Sequence, residues 1–240
     1  MGDPVRRETQ HVLLLLLGGA LLRIAADDTF LRYVRPSHRW LLLAAGAVMV
    51  LLAAIALVRD LRGVRHGDRH DHSAAERHAP WLLLLPVLVI ALVAPPALGA
   101  DSVTRVGDST AVLKDADVFT PLPPGDAPDL PVMEFVQRAM FDRTGTLDDR
   151  DVTLTGFAVR RGAAVELARL TISCCAADAR AARVRLQGGP ATLDGVAQDT
   201  WLQIRGTLVP GSATPAEHYL PVMIVRSVEV VAAPADPYEY

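Results

Sequence analysis

Long apolar runs in the first hundred residues constrain the fold of this chain more than any other feature. The run from Trp40 to Val58 has 19 residues without a charge, close to the roughly 20 residues that a helix needs to cross a bilayer. The run from Trp81 to Ala100 is equally apolar, and membrane helices tolerate its prolines where neighbouring groups satisfy the freed carbonyls. Each run begins with tryptophan, which favours the membrane interface. We therefore predict transmembrane helices at about 40–58 and 81–100.

A shorter apolar run, residues 12–22, precedes these two. Eleven residues alone are too few to span a bilayer, but the helix can be longer if Arg23 reaches towards the lipid headgroups. We predict a short membrane helix over about 10–26, in which Gly18 and Gly19 would permit close helix contact. The alternative is the hydrophobic region of a signal peptide, because two arginines precede the run.

Three spans would place the N-terminus and the loop 59–80 on one side of a membrane and the C-terminal region on the other. The N-terminal side carries the larger number of arginines, which favours a cytoplasmic N-terminus. Arginine almost replaces lysine, since Lys114 is the one lysine, and this bias is typical of a GC-rich bacterial genome. The sequence thus predicts a multi-pass protein of the bacterial cell membrane, in contact with the lipid bilayer, whose C-terminal domain is extracytoplasmic.

The polar loop 59–80 is rich in histidine. Four of the seven histidines lie within thirteen residues, namely His66, His70, His72 and His78. Neutral imidazole binds zinc, copper and nickel, but the spacing matches no closed structural zinc site. The loop is therefore predicted either to capture a divalent transition metal weakly or to be a solvated segment with a local histidine bias.

The C-terminal region has the patterns of a small α+β domain. A Pro/Asp-rich linker over 101–130 leads into helical spacing of apolar residues over 131–142. From Asp151 the apolar period becomes two, with Gly156 as a predicted bulge. Five strands are predicted within the segments DVTLTGFAVRR, AAVELARLTIS, AARVRLQGG, TWLQIRGTLVPG and YLPVMIVRSVEVVAAP.

Five short strands fit a small closed barrel better than a sandwich, which needs about seven. The predicted fold class is therefore an α+β membrane protein. Three N-terminal transmembrane helices are followed by a helix and a small OB-like β-barrel domain over 131–240.

Several function classes are disfavoured by the sequence. It contains no Gly-x-Ser-x-Gly, no phosphate-binding loop and no paired-histidine metalloprotease motif, so we expect no enzymatic activity. Single-stranded nucleic acid is bound by basic grooves with exposed aromatic residues, and only 5% of the residues are aromatic. We therefore expect no nucleic-acid partner.

The two cysteines of the chain, Cys174 and Cys175, are adjacent, and Asp178 follows three residues later. A disulfide between neighbours needs a strained ring, and on a regular strand their side chains point to opposite faces. If the strand bends at the pair, two thiolates and a carboxylate could hold zinc or another divalent transition metal. His218 could complete that site only if folding brings it near. The alternatives are simple core packing and thiol oxidoreductase chemistry, although the motif is not the Cys-x-x-Cys type.

Several motifs together resemble a known family: LRYVRPSHRWLLLA, TGFAV, ARLTISCCAADA, DTWLQIRGTL and the final APADPYEY. With the histidine-rich loop, they make the chain similar to the YcgQ-like family of bacterial membrane proteins, which are regarded as permease subunits and whose C-terminal domain has no known function. The resemblance implies a polytopic permease-like partner. We expect a non-enzymatic accessory subunit of a membrane permease linked to transition-metal handling. The alternative is a stand-alone membrane-anchored envelope sensor or ligand-binding module.

Overall fold

The apolar N-terminal residues form two long helices in a computed structural model of the chain, which describes residues 4–62, 96–106, 119–189, 193 and 195–240. The chain divides into residues 1–96, called unit 1, and residues 97–240, called unit 2. Helix α1 (Pro4–Ala26) and helix α2 (Arg39–Leu61) make up the described part of unit 1 together with short 3-10 turns between them. Leucine and alanine are frequent in both helices, and both are strong helix formers.

The two helices pack closely through one pair of glycines. A Cβ atom added to Gly18 would lie 2.9 Å from the carbonyl oxygen of Gly46, and one added to Gly46 would lie 2.9 Å from that of Gly18. Gly19 has nothing within 4 Å of such an atom. Of the two glycines predicted to permit a helix contact, Gly18 therefore makes it and Gly19 does not.

Much of the apolar surface of these helices remains uncovered in the protein. Trp40 and Leu41 are 76% and 65% exposed, and only 11% of the most apolar window of the helical stretch Pro36–Asp60 is buried. By length and composition, this stretch is the one among the described residues that could cross a membrane; His11–Ala26 is a shorter apolar helix.

The prediction of three N-terminal transmembrane helices is therefore wrong for the described chain. The first apolar run is helical, but its apolar part, His11–Ala26, is bounded by charged and polar residues. It is too short to span a bilayer. Most of the third predicted span, residues 81–95, lies outside the described residues, as does the loop 63–80. Residues 96–99 are not helical, and helix α3 (Ala100–Val106) follows. The predicted sidedness stays a prediction.

Unit 2 is built on a sheet whose strands follow the period-two pattern. After helix α4 (Val132–Phe141), the strands are β1 (Asp151–Arg161), β2 (Ala164–Thr171), β3 (Arg180–Gln187), β4 (Trp201–Leu208), β5 (Val222–Val230) and β6 (Tyr238–Glu239). Their order is β1-β4-β5-β3-β2-β6, and β1 pairs additionally with β2. The pairings are antiparallel except β3 with β5 and β2 with β6. The predicted helix and the five predicted strands are confirmed as elements.

The prediction of an OB-like barrel is corrected to a six-stranded mixed sheet. The sixth strand has only two residues, too few for a period-two pattern, and it forms because Leu170 and Thr171 offer backbone partners in the parallel sense. The predicted bulge also moves. Gly156 pairs regularly with Leu202, and the register shift falls between Arg205 and Gly206 instead.

Both faces of the sheet are covered, which gives unit 2 two apolar clusters. Helix α4 contributes Val132, Phe135 and Val136 to the larger one, and all three are fully buried. The smaller cluster lies on α3, with Val103 packed together with Leu170 and Tyr238. Strand β2 is buried on both sides, since Leu167 belongs to the first cluster and Leu170 to the second. The loop that leaves β2 is thus held on a rigid base.

Candidate metal centre

The adjacent cysteines lie in the loop that joins β2 to β3. The antiparallel ladder ends with the pair Thr171 and Arg180, so Cys174 and Cys175 follow the strand and are not part of it. The alternation of side chains across a strand does not apply to them. Small residues come next, and Ala176–Asp178 forms one 3-10 turn in which the amide of Asp178 donates to the carbonyl of Cys175 at 3.0 Å.

The Asp178 carboxylate fixes the shape of this loop. Its Oδ1 accepts a hydrogen bond from the amide of Ser173 at 2.9 Å, and its Oδ2 accepts one from the amide of Cys174 at 2.8 Å. Asp side chains commonly organise turns by accepting from nearby backbone amides. Here the result is that the two cysteine side chains lie on the same side of the loop, with Sγ atoms 3.5 Å apart.

The three side chains form one group of donor atoms. One sulfur from each cysteine and one carboxylate oxygen of Asp178 lie within 4.8 Å of one another. Cys174 is exposed, Cys175 and Asp178 are half-buried, and the cysteines carry no disulfide. Thiolate and carboxylate are both zinc ligands, and softer divalent ions also accept thiolates. The loop is therefore reachable by an ion from solvent.

The Asp178 carboxylate and the Cys174 thiol influence each other's protonation. The hydrogen bond to Asp178 is the main cause that raises the pKa of the Cys174 thiol to about 11, followed by the hydrogen bond to Cys175. The same bond with Cys174 is the main cause that lowers the pKa of Asp178. At neutral pH the group therefore consists of a carboxylate beside a protonated Cys174 thiol. A metal ion must displace the thiol proton to bind there.

The other predicted ligands do not join this group in the described chain. His66, His70, His72 and His78 lie outside the described residues. His218 ends the short turn Pro215–Glu217 before β5, and it is not among the donor atoms that cluster with the cysteines. The metal assignment itself stays a prediction.

Sequence reasoning missed two features around the site. The amides of Ser173 and Cys174 hold the carboxylate, and amides carry no residue-type signature. The backbone carbonyl of Glu239 in β6 accepts from the amide of Ile172 at 3.1 Å, which ties the start of the loop to the end of the chain. An aspartate four residues after the first cysteine was the one available hint of the first feature.

Two arginines of the sheet, Arg169 and Arg183, are buried within the fold. Arg169 is buried with its guanidinium carbon 4.6 Å from the ring centre of Trp201. Arg183 is also buried and lies 3.4 Å from the carboxylate of Glu166. These two basic side chains are therefore not part of an exposed basic surface.

Apart from the loop with the cysteines, unit 2 has a concave region that is polar and charge-balanced. This open cleft of about 750 Å³ is lined in part by three arginines and three aspartates, namely Arg150, Arg205, Arg226, Asp126, Asp149 and Asp151. Asp151 already pairs with Arg205 at 3.0 Å and with Arg226 at 3.4 Å. Because the charges neutralise each other, the cleft indicates no class of ligand.

Comparison with known proteins gives one family match. No curated protein matches the chain. A crystal structure provisionally described as an aspartyl-tRNA synthetase from Leishmania major Friedlin shares 12% identity, with a TM-score of 0.27. That similarity covers 50% of this chain and 23% of the other, so the chain spans under a quarter of that protein and the likeness carries no argument. A family model described as the DUF1980 C-terminal domain matches residues 133–240. The matched residues include every strand of the sheet, so this part of the chain is similar to the DUF1980 C-terminal domain.

Proposed function

We propose that this protein binds a divalent transition metal of the zinc class at Cys174, Cys175 and Asp178 and serves as a non-enzymatic accessory subunit of a membrane permease. The observation that carries the metal assignment is the convergence of two sulfurs and a carboxylate oxygen within 4.8 Å. Zinc and similar ions are bound in proteins by this combination of ligands.

The geometry of the two sulfurs supports a tetrahedral ion. Two sulfurs each about 2.3 Å from a zinc ion at the tetrahedral angle lie about 3.8 Å apart. In a linear arrangement the same sulfurs would be about 4.6 Å apart. The separation of 3.5 Å between Cys174 and Cys175 is closer to the tetrahedral value, so only a small adjustment would be needed.

The two alternatives for the cysteines have less support. Core packing is disfavoured because Cys174 is exposed and Cys175 is only half-buried. Thiol chemistry needs a thiolate, and reactive cysteines have lowered pKa values. The pKa of Cys174 is raised instead, mainly by its hydrogen bond to Asp178.

The membrane and partner parts of the proposal rest on separate support. The exposed apolar surface of Pro36–Asp60 favours a lipid environment over water. The similarity to permease-associated membrane proteins, given by the motifs above, suggests a polytopic partner. Metal handling and transport would then be joined in one complex, with unit 2 as the metal-binding component.

Metal analysis of the purified full-length chain tests the site. We expect about one zinc ion per chain that depends on the cysteines, measured in a background with His66, His70, His72 and His78 replaced by alanine. Cys174→Ser and Cys175→Ser should each weaken zinc binding by more than the roughly 10–100-fold that follows loss of a residue which only orients a ligand.

The matched control for the site is a charge change elsewhere. Asp178→Asn should weaken binding, whereas Asp126→Asn, at an exposed aspartate outside the donor group, should leave it unchanged. Zinc content that is the same in the wild-type chain and in both cysteine variants would refute the metal assignment.

Co-purification in mild detergent tests the accessory role. We expect the tagged full-length chain, expressed in its native host, to retain a polytopic membrane protein through a second affinity step. The sensor alternative predicts that the chain purifies without such a partner. Retention should persist in Cys174→Ser if the contact is made through the membrane helices and not through the metal loop.

A further inference from the structure

We infer that the metal centre has one open coordination position, which faces solvent and accepts a neutral nitrogen donor of the imidazole class from a second molecule. This inference rests on the proposed function. It specifies the chemical class of the molecule with which that site would exchange its metal ion. It makes the loop 172–179 a transfer site for the ion, in contrast to a closed structural zinc site.

The number of ligands is the first reason. Structural zinc sites are closed by four protein ligands, whereas sites that act on a further molecule keep three and leave one position open. Among the described residues, the donor group of Cys174, Cys175 and Asp178 has three members. A tetrahedral ion bound there would lack a fourth ligand from the part of the chain that the structure describes.

The direction of the missing ligand is the second reason. Cys174 is exposed, and its two partners are half-buried, so an ion bound by all three lies at the protein surface. The carboxylate is held on the protein side by the amides of Ser173 and Cys174. Because the loop backbone supports the ligands from that side, the vacant position of the tetrahedron is directed away from it.

The charge of the ligands favours a neutral fourth donor. Two thiolates and one carboxylate carry three negative charges, one more than the two positive charges that a divalent ion neutralises. A third thiolate would add repulsion at close range. A neutral imidazole adds none, and imidazole is the commonest metal ligand in proteins.

Cobalt(II) is the probe for this position. The full-length chain, in detergent and with the four loop histidines replaced by alanine, is loaded with Co²⁺ and titrated with imidazole. We expect a thiolate-to-cobalt charge-transfer band in the absence of imidazole. Added imidazole should shift the visible cobalt bands saturably while the charge-transfer band is kept, which is the signature of a ternary complex.

The outcomes separate the inference from the proposed function. Absence of the charge-transfer band, together with equal zinc content in the wild-type chain and in Cys175→Ser, would refute the proposed function and the inference with it. Visible cobalt bands that imidazole leaves unchanged, or a charge-transfer band that disappears as imidazole removes the cobalt, would overturn the inference while the metal site stands. Asp126→Asn, loaded in the same way, should reproduce the wild-type shift.

Discussion

At the scale of single residues, Asp178 controls the candidate site through the backbone. Its two carboxylate oxygens accept from the amides of Ser173 and Cys174, and this holds Cys174 and Cys175 with their sulfurs 3.5 Å apart. The same carboxylate keeps Cys174 protonated at neutral pH, because its hydrogen bond raises the pKa of that thiol to about 11. One residue thus orders the ligands and raises the pKa of one of them, the Cys174 thiol.

The protonation of Cys174 gives a prediction about pH. A metal ion replaces the thiol proton, so zinc affinity should rise by about tenfold per pH unit for that proton while pH is below the thiol pKa of about 11. Zinc affinity measured by competition with a chelator between pH 6 and pH 8, a range of about two units, checks the slope. A pH-independent affinity would contradict the role of Cys174 as a ligand.

Replacing Asp178 should change the thiol itself. In Asp178→Asn we expect the pKa of Cys174 to fall towards its ordinary value, because the hydrogen bond to the carboxylate is the main cause of the increase. Titration of the thiolate by its ultraviolet absorbance, without metal, measures this. Asp126→Asn is the control and should titrate as the wild type does, and an unchanged titration in Asp178→Asn would show that the carboxylate does not act on the thiol.

At the scale of elements, close contact between α1 and α2 depends on the missing side chains of two glycines. Each backbone carbonyl of Gly18 and Gly46 lies 2.9 Å from the position that a Cβ on the other would take. Small residues allow helices to approach in this way, and in a membrane such packing replaces the hydrophobic driving force. His11 and Asp60, 3.6 Å apart, bring another part of the same two helices together.

The glycine contact can be tested with a control from the same helix. Gly18→Ala and Gly46→Ala should each destabilise the helix pair by about 1–3 kcal/mol, since an added methyl must push apart backbone atoms. Gly19→Ala should be neutral or slightly stabilising, because nothing lies within 4 Å of its added Cβ and alanine is the better helix former. Thermal loss of the helical circular dichroism signal in detergent compares the three, and equal behaviour of Gly18→Ala and Gly19→Ala would exclude the close contact.

At the scale of the whole of unit 2, the last residues of the chain join elements that are far apart in sequence. Strand β6 pairs with β2, and the Glu239 carboxylate accepts from the amides of Val132 at 2.8 Å and Met133 at 3.0 Å. These amides are at the start of α4, where the first turn has no intrahelical partners. The buried Tyr238 accepts at its hydroxyl from the amide of Leu98. The C-terminal segment therefore stabilises both faces of the sheet.

Glu239 should accordingly contribute to the stability of unit 2. Glu239→Gln keeps one acceptor oxygen and loses the second, so we expect the free energy of unfolding to fall by about 1 kcal/mol, within the range of helix caps. Glu229→Gln changes an exposed glutamate on β5 and should alter stability by less than about 0.5 kcal/mol. Chemical denaturation measures both, followed by the fluorescence of Trp201 in a chain with Trp40 and Trp81 replaced by phenylalanine, and equal effects would remove the capping role.

The sequence by itself determined the elements whose signals are local. An uncharged run from Trp40 to Val58 produces α2, and alternating apolar residues from Asp151 produce β1, because periodicity depends only on nearby residues. The small residues after Cys174 and Cys175 permitted a bend at the pair, which was a condition for the metal site, and the structure contains a turn there. Only the tertiary structure decided the sulfur separation, the addition of β6 to β2 and the approach of Gly18 to Gly46. Each of these depends on the relative placement of atoms across a loop, a sheet edge or two helices, which a local pattern does not encode.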